Sequence, residues 1–453
     1  MRQMFRSAIV PAYVLLAILL GGSVQGAWGV AILQLLAIAI IGWSLRAKDA
    51  LPLSGSAKAL FLIAGLTVLV ALIQLIPLPP AMWAALPGRE PFVEGYRLLG
   101  QRPPSLPISL APFDTAATVL TLLPPLAVLA GMLVAGAYRV SWLAIAILVG
   151  TFAAVMLGTL QVGSSGPTDL HWYLYSITNY GVATGFFANS NHMAALLVIS
   201  VPFLFALIAD LRRWAKNQRA GSAVLLVAVA GVLVLVVGIV LNGSLAVLLL
   251  GPAVVMTSAT MLLPPGMRLR GPLTAVGLVS IAASLAVYLT PLNDKFAASN
   301  ATSLETRQAM WSTTIPAIKA NIPLGTGVGS FEQVYPLYED PAAVTATFVN
   351  HAHNDYLEIA LETGIPGLLL VAAFLLWWGR RAIPIWRSAA VDRYALAGSI
   401  ASAALLVHSL VDYPLRTAAL STIMAACLAL MARPRPRQRD GEELWPTARH
   451  EAI

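Results

Sequence analysis

Apolar residues recur along this chain in blocks of about 17–25, the length that crosses a bilayer core as an α-helix. Twelve such blocks are predicted, at about 8–24, 27–45, 59–76, 115–137, 140–162, 191–210, 221–241, 244–263, 271–290, 364–380, 394–411 and 415–432. The first shows no small-residue cleavage site and runs into the second after a very short turn, so it reads as a retained span. Polar residues gather in three long connections, about 77–114, 163–190 and 291–363. The expected fold is all-α, a polytopic membrane protein of about twelve transmembrane helices. Residues 1–432 would form one transmembrane domain whose long 291–363 loop contains short helices. The Pro/Arg-rich stretch 433–453 reads as a disordered tail.

Composition supports this pattern. The chain is 58% hydrophobic and 11% charged, with a mean hydropathy of +0.79. Soluble domains carry about 25% charged residues, so this surface is not built for water. The formal charge of +8 suggests either a nucleic-acid partner or a membrane topology, and the positions of the charges decide between them. Seven of the 28 Lys and Arg residues (Arg89, Arg97, Arg102, Lys295, Arg307, Lys319 and Arg416) fall on the side of the long loops. The other 21 share the side of the N-terminus, mostly in short connections. Basic short loops stay in the cytoplasm, so both termini are expected inside and the long loops in the periplasm. No nucleic acid is needed to explain the charge. Cys427 is the lone cysteine, which excludes a disulfide framework and a cysteine metal site.

Long ordered loops usually carry function, so the chemistry is sought on that face. The segment from Asn350 to Glu358 reads Asn-His-Ala-His-Asn-Asp-Tyr-Leu-Glu. His351 and His353 fit two metal ligands awaiting a third, a general base for a hydroxyl, or interfacial histidines ahead of a helix. The residues alone leave all three open. Asn354 is placed to cap a helix, with Asp355 and Glu358 favourable to its dipole. That helix should end near Thr363, where Gly364-Ile365-Pro366-Gly367 breaks it, and lie at the membrane interface. Arg307 suits bidentate phosphate binding, or a salt bridge to Glu305 or Asp294. His408 and Asp412 share a helix face before Pro414 and Arg416, where a His408–Asp412 or Asp412–Arg416 pair is the structural alternative. Gly325-Thr326-Gly327-Val328-Gly329-Ser330 lacks the lysine and spacing of a phosphate loop and reads as a turn.

Four segments together resemble the O-antigen ligase and O-antigen polymerase superfamily. They are Gly185-Phe186-Phe187-Ala188-Asn189-Ser190-Asn191-His192-Met193-Ala194, Arg307 to Trp311 followed by Asn321-Ile322-Pro323-Leu324-Gly325-Thr326-Gly327, His353-Asn354 followed by Gly364-Ile365-Pro366-Gly367, and His408-Ser409-Leu410-Val411-Asp412-Tyr413-Pro414. They lie in order over about 105–425. The resemblance implies a C-type glycosyltransferase-like fold, without a metal or other cofactor. It implies transfer of glycan from an undecaprenyl-pyrophosphate donor to a glycan or lipid acceptor hydroxyl, at the outer face of the bacterial inner membrane. Carried over residue by residue, His353 is the base or acceptor-orienting group and Arg307 holds the pyrophosphate. Asn354, His351, Asn189, Asn191, His408, Asp412 and Arg416 are the substrate-binding candidates. Where many members carry an arginine before the Gly185 segment, this chain has Tyr180-Gly181-Val182-Ala183-Thr184. Arg416 or His192 is expected to compensate. The late span favours a polymerase over a ligase acting on a lipid A core or another acceptor, with other polysaccharide-assembly proteins as possible partners. A transporter or flippase of similar span count is the rival from another class, and it calls for ionisable residues and broken helices at the bilayer midplane.

Overall fold

A computed structural model describes residues 2–47, 50–164, 171–215, 218–263, 298–342, 344, 348–388 and 392–433. The first three helices are α1 (Arg2–Leu20), α2 (Ala27–Leu45) and α3 (Gly55–Ile73). A two-residue antiparallel pair, β1 (Pro77–Leu78) with β2 (Leu106–Pro107), encloses α4 (Pro80–Ala84) and α5 (Glu90–Leu98). The apolar stretch after it is broken into α6 (Pro112–Thr121) and α7 (Leu123–Leu133), with prolines at Pro124 and Pro125. There follow α8 (Val140–Gly163), α9 (Ser190–Trp214), α10 (Gln218–Asn242) and α11 (Leu245–Ala259). The last part holds α12 (Ala298–Asn321), α13 (Phe331–Val334), α14 (Asp355–Arg387), α15 (Arg393–His408) and α16 (Ala418–Ala432).

Among the described residues, eight helical segments are long and apolar enough to cross a membrane. They coincide with the first seven expected spans and the tenth. α11, α15 and α16 coincide with the eighth, eleventh and twelfth but are shorter. The ninth, 271–290, lies outside the described residues, as does the tail from 434 onward. The chain is an all-α, polytopic membrane protein.

Helix ends follow local chemistry. Asn189 accepts from the Asn191 amide at 2.8 Å to start α9, and Asp392 accepts from the Tyr394 and Ala395 amides to start α15. Arg212 and Arg213 close α9 where its dipole favours cations. Lipid supplies little hydrophobic drive between helices, so small residues set the packing. α15 carries Ala397, Gly398, Ala401 and Ala404, all buried, against α16. A Cβ on Gly398 would stand 2.9 Å from the Cys427 carbonyl oxygen, so only glycine permits this backbone approach.

The break expected after Thr363 is present. Gly364 adopts φ 58 and ψ −143 inside α14, a conformation essentially reserved for glycine. A side chain there would run into the Pro323 carbonyl. The half-helix before the break turns its acidic residues Asp355, Glu358 and Glu362 into the protein, where they are buried. The long 291–363 connection contains the expected short helical pieces, α13 and the 3-10 turn Tyr335–Leu337, together with α12 of 24 residues.

Candidate active site

Asp412 is the centre of the polar cluster. α15 ends at His408, whose carbonyl accepts from the Val411 and Asp412 amides at 3.0 Å each. That turn delivers Asp412 inward, 1% exposed. Its Oδ2 accepts from Asn191 Nδ2 at 2.6 Å and lies 3.7 Å from Arg307 Nη2. Its Oδ1 accepts from the Tyr413 amide at 2.9 Å and lies 3.3 Å from His353 Nδ1, within ion-pair range though not aligned as a hydrogen bond. Burial alone would push this carboxyl up. His353, Arg307 and His192 outweigh burial and hold it well below the usual carboxylate range.

Each partner is positioned by its own local structure. Asn191 sits in the first turn of α9, and its Oδ1 accepts from Ser244 Oγ at 2.8 Å. Asn242, at the end of α10, donates to the Ala183 and Ser190 carbonyls at 2.8 Å each, tying the Gly185 segment to that turn. Arg307 and Trp311 lie one turn apart on α12. While Arg307 faces Asp412, Trp311 Nε1 donates to the Ala352 carbonyl at 2.9 Å, fixing the peptide just before His353. His353 itself has φ 48, a left-handed conformation rare outside glycine. Such a residue costs about 1–3 kcal/mol and persists only where its surroundings enforce it.

Asn354 caps α14, accepting from the Tyr356 and Leu357 amides at 3.0 and 3.1 Å, while its Nδ2 donates to the Leu410 carbonyl at 2.9 Å. The Asp355 amide donates to the Ser409 carbonyl and Ser409 Oγ donates to Asp355 Oδ2. These bonds staple the start of α14 to the end of α15.

Arg416 occupies a second cluster. Its guanidinium lies 3.4 Å from Asp355, 3.1 Å from Glu358 and 3.0 Å from Glu362. Those acids recur on one face of α14, so a single arginine gathers the whole face. Glu358 also holds His351 Nδ1 at 2.8 Å and the Ala352 amide at 3.0 Å. Glu362 accepts from the Gly329 amide at 2.9 Å, which docks the glycine turn on the helix break. Gly325, Gly327 and Gly329 all have positive φ, in keeping with a turn.

These contacts correct several expectations. Neither an Asp412–Arg416 nor a His408–Asp412 ion pair forms; Asp412 faces Arg307 and His353, and Arg416 faces the α14 acids. Arg416 is therefore a counter-ion inside the protein and a poor stand-in for the absent arginine. Arg307 meets Asp412; of the alternative partners, Asp294 and the side chain of Glu305 lie outside the described residues. His351 and His353 engage different carboxylates, and no group of three or more His, Cys, Asp or Glu among the described residues is arranged to hold a metal. His408 is buried and contributes its carbonyl. Asn189 reaches the cluster through Tyr413, donating from Nδ2 to the phenol oxygen at 3.4 Å.

Sequence reasoning assigned no site role to Tyr413, Ser244, Gln74 or Arg89. Gln74, buried at the end of α3, donates to the Glu362 carbonyl at 2.8 Å and accepts from the Val328 amide at 2.9 Å. Arg89, 1% exposed, donates to the Ile108 carbonyl at 2.6 Å and to Asn321 Oδ1 at 3.3 Å. Burial lowers its pKa to about 10. Both clamp the first long loop to the glycine turn. Gln74 falls inside an expected span and Arg89 in the middle of a long loop, so position along the chain did not single them out.

Residues 180–372 match the sequence model of the O-antigen ligase family. That stretch is similar to the O-antigen ligase superfamily. The match holds the Gly185 segment, Arg307 and His353, and stops short of Asp412, which the fold brings to them. Comparison with curated proteins returns no match. The chain is thus a multi-pass membrane protein with a segment similar to the O-antigen ligase and polymerase enzymes of glycan assembly.

Proposed function

We propose that this enzyme transfers glycan from an undecaprenyl-pyrophosphate carrier to an acceptor hydroxyl, on the periplasmic side of the bacterial inner membrane, as a polysaccharide polymerase. The convergence of His353 and Arg307 on the two oxygens of Asp412 carries this reading. His353 takes the proton of the acceptor hydroxyl as its oxygen bonds to the anomeric carbon. The glycosyl–phosphate bond breaks and pyrophosphate leaves with the electron pair. Asp412 faces His353 Nδ1, so Nε2 is the nitrogen for the acceptor, and the carboxylate stabilises the imidazolium that forms. Arg307 supplies positive charge to the departing phosphates through its planar fork. Pyrophosphate is a good leaving group, so no nucleotide is required at this face.

The glycan and lipid profile of a deletion strain tests the reading. Single repeats retained on acceptors, with long chains lost, is the expected result. Free lipid-linked polymer beside bare acceptor would instead make the enzyme a ligase. Unchanged processing with carrier-linked glycan trapped on the cytoplasmic side would make it a flippase.

A further inference from the structure

Tyr413 is the side chain around which the histidines are arranged. Its ring centroid lies 4.9 Å from that of His353 at 72°, 4.9 Å from His192 at 86° and 4.0 Å from His351 at 37°. It is 9% exposed. The three histidines come from two separate segments, α9 and the loop before α14. Edge-to-face and offset contacts of this kind are favourable beyond the area they bury. They act where His353 needs them, because its left-handed backbone is unfavourable by itself. Asp412, the preceding residue, meets His353 at its Nδ1 edge alone, at 3.3 Å, and a contact at one edge leaves the tilt of the imidazole plane free. The Tyr413 ring meets that plane nearly at right angles and restricts the tilt.

We propose that Tyr413 is a positioning residue, whose ring sets the imidazole of His353 against Asp412 so that Nε2 points to the acceptor. This rests on the reading of His353 as base. The ring carries the role. The hydroxyl, 3.4 Å from Asn189 Nδ2, is secondary.

The test uses the purified full chain in nanodiscs, with lipid-linked glycan extracted from a strain lacking this protein as donor. Misplacing a reacting group by about 1 Å costs on the order of 10²-fold. Tyr413→Leu should therefore lower kcat about 10–100-fold, with the donor KM within about twofold of wild type. Tyr413→Phe should keep kcat within about threefold, since it keeps the ring. Should Tyr413→Leu fail to accumulate, Tyr413→His serves as the smaller ring and should fall between the two. A normal kcat in the Leu or His variant, beside an inactive His353→Ala, overturns the positioning role and leaves the base in place. A Phe variant as slow as Leu overturns the ring as the carrier, and a rise in donor KM at unchanged kcat makes Tyr413 a substrate contact instead. An active His353→Ala removes the underlying reading itself.

Discussion

His353 presents Nδ1 to Oδ1 of Asp412 at 3.3 Å, although 58 residues, holding both α14 and α15, separate them in the chain. The pair has the form of a base and its orienting carboxylate. Asp412→Asn keeps the size and removes the charge. It is expected to lower turnover by about 10²-fold or more while leaving the protein folded. The depressed pKa of Asp412 fixes the sign of its pH dependence. Its folded value lies below the unfolded one of about 3.9, so its stabilising contribution is complete above that pH and is lost only as pH falls through the depressed value. Asp412 titration should therefore be absent from a rate profile between about pH 5 and 8. Near-normal turnover in the Asn variant would sink the dyad.

Arg307 faces the same carboxylate from the other side at 3.7 Å. A pyrophosphate contact exists before and during reaction, so Arg307→Ala should raise the donor KM and lower kcat together, by about 10-fold or more in each. Arg307→Lys should recover only part, because a point charge lacks the bidentate fork. Steady-state kinetics with varied donor decide it. Loss of kcat at constant KM would move Arg307 away from the ground-state pyrophosphate.

Arg416 behaves differently, because its guanidinium already meets three carboxylates. Removing one partner of a buried ion pair costs about 3–5 kcal/mol, since the remaining charges stay buried. Arg416→Ala is expected to reduce folded protein and lower the thermal midpoint in detergent. An Arg416→Ala protein that folds normally but binds donor weakly would return the residue to the substrate.

Topology is testable without substrate. Reporter fusions after Arg219 and Arg393 should signal cytoplasm, and fusions near Pro91 and Asp340 should signal periplasm. A cytoplasmic signal from Asp340 would turn the His353 loop toward the wrong compartment for the proposed donor and acceptor.

The apolar blocks, the basic short connections, the cap at Asn354 and the break at Gly364 were all legible in the sequence. Each depends on residues within one or two helical turns, or on the thickness of a bilayer, and those constraints are written locally. Local spacing also produced the errors. His408 and Asp412 lie four apart and suggested a pair, as did Asp412 and Arg416, yet the helix ends at His408 and the turn after it rotates Asp412 away. Which charge meets which is decided by where α9, α12, α14 and α15 end against one another. Buried charges cannot remain unpaired, so the packed fold assigned Arg307 and His353 to Asp412 and Arg416 to the acids of α14. The role of Tyr413 became visible only there, because a ring between three histidines is a property of three chain segments meeting and has no period along any of them.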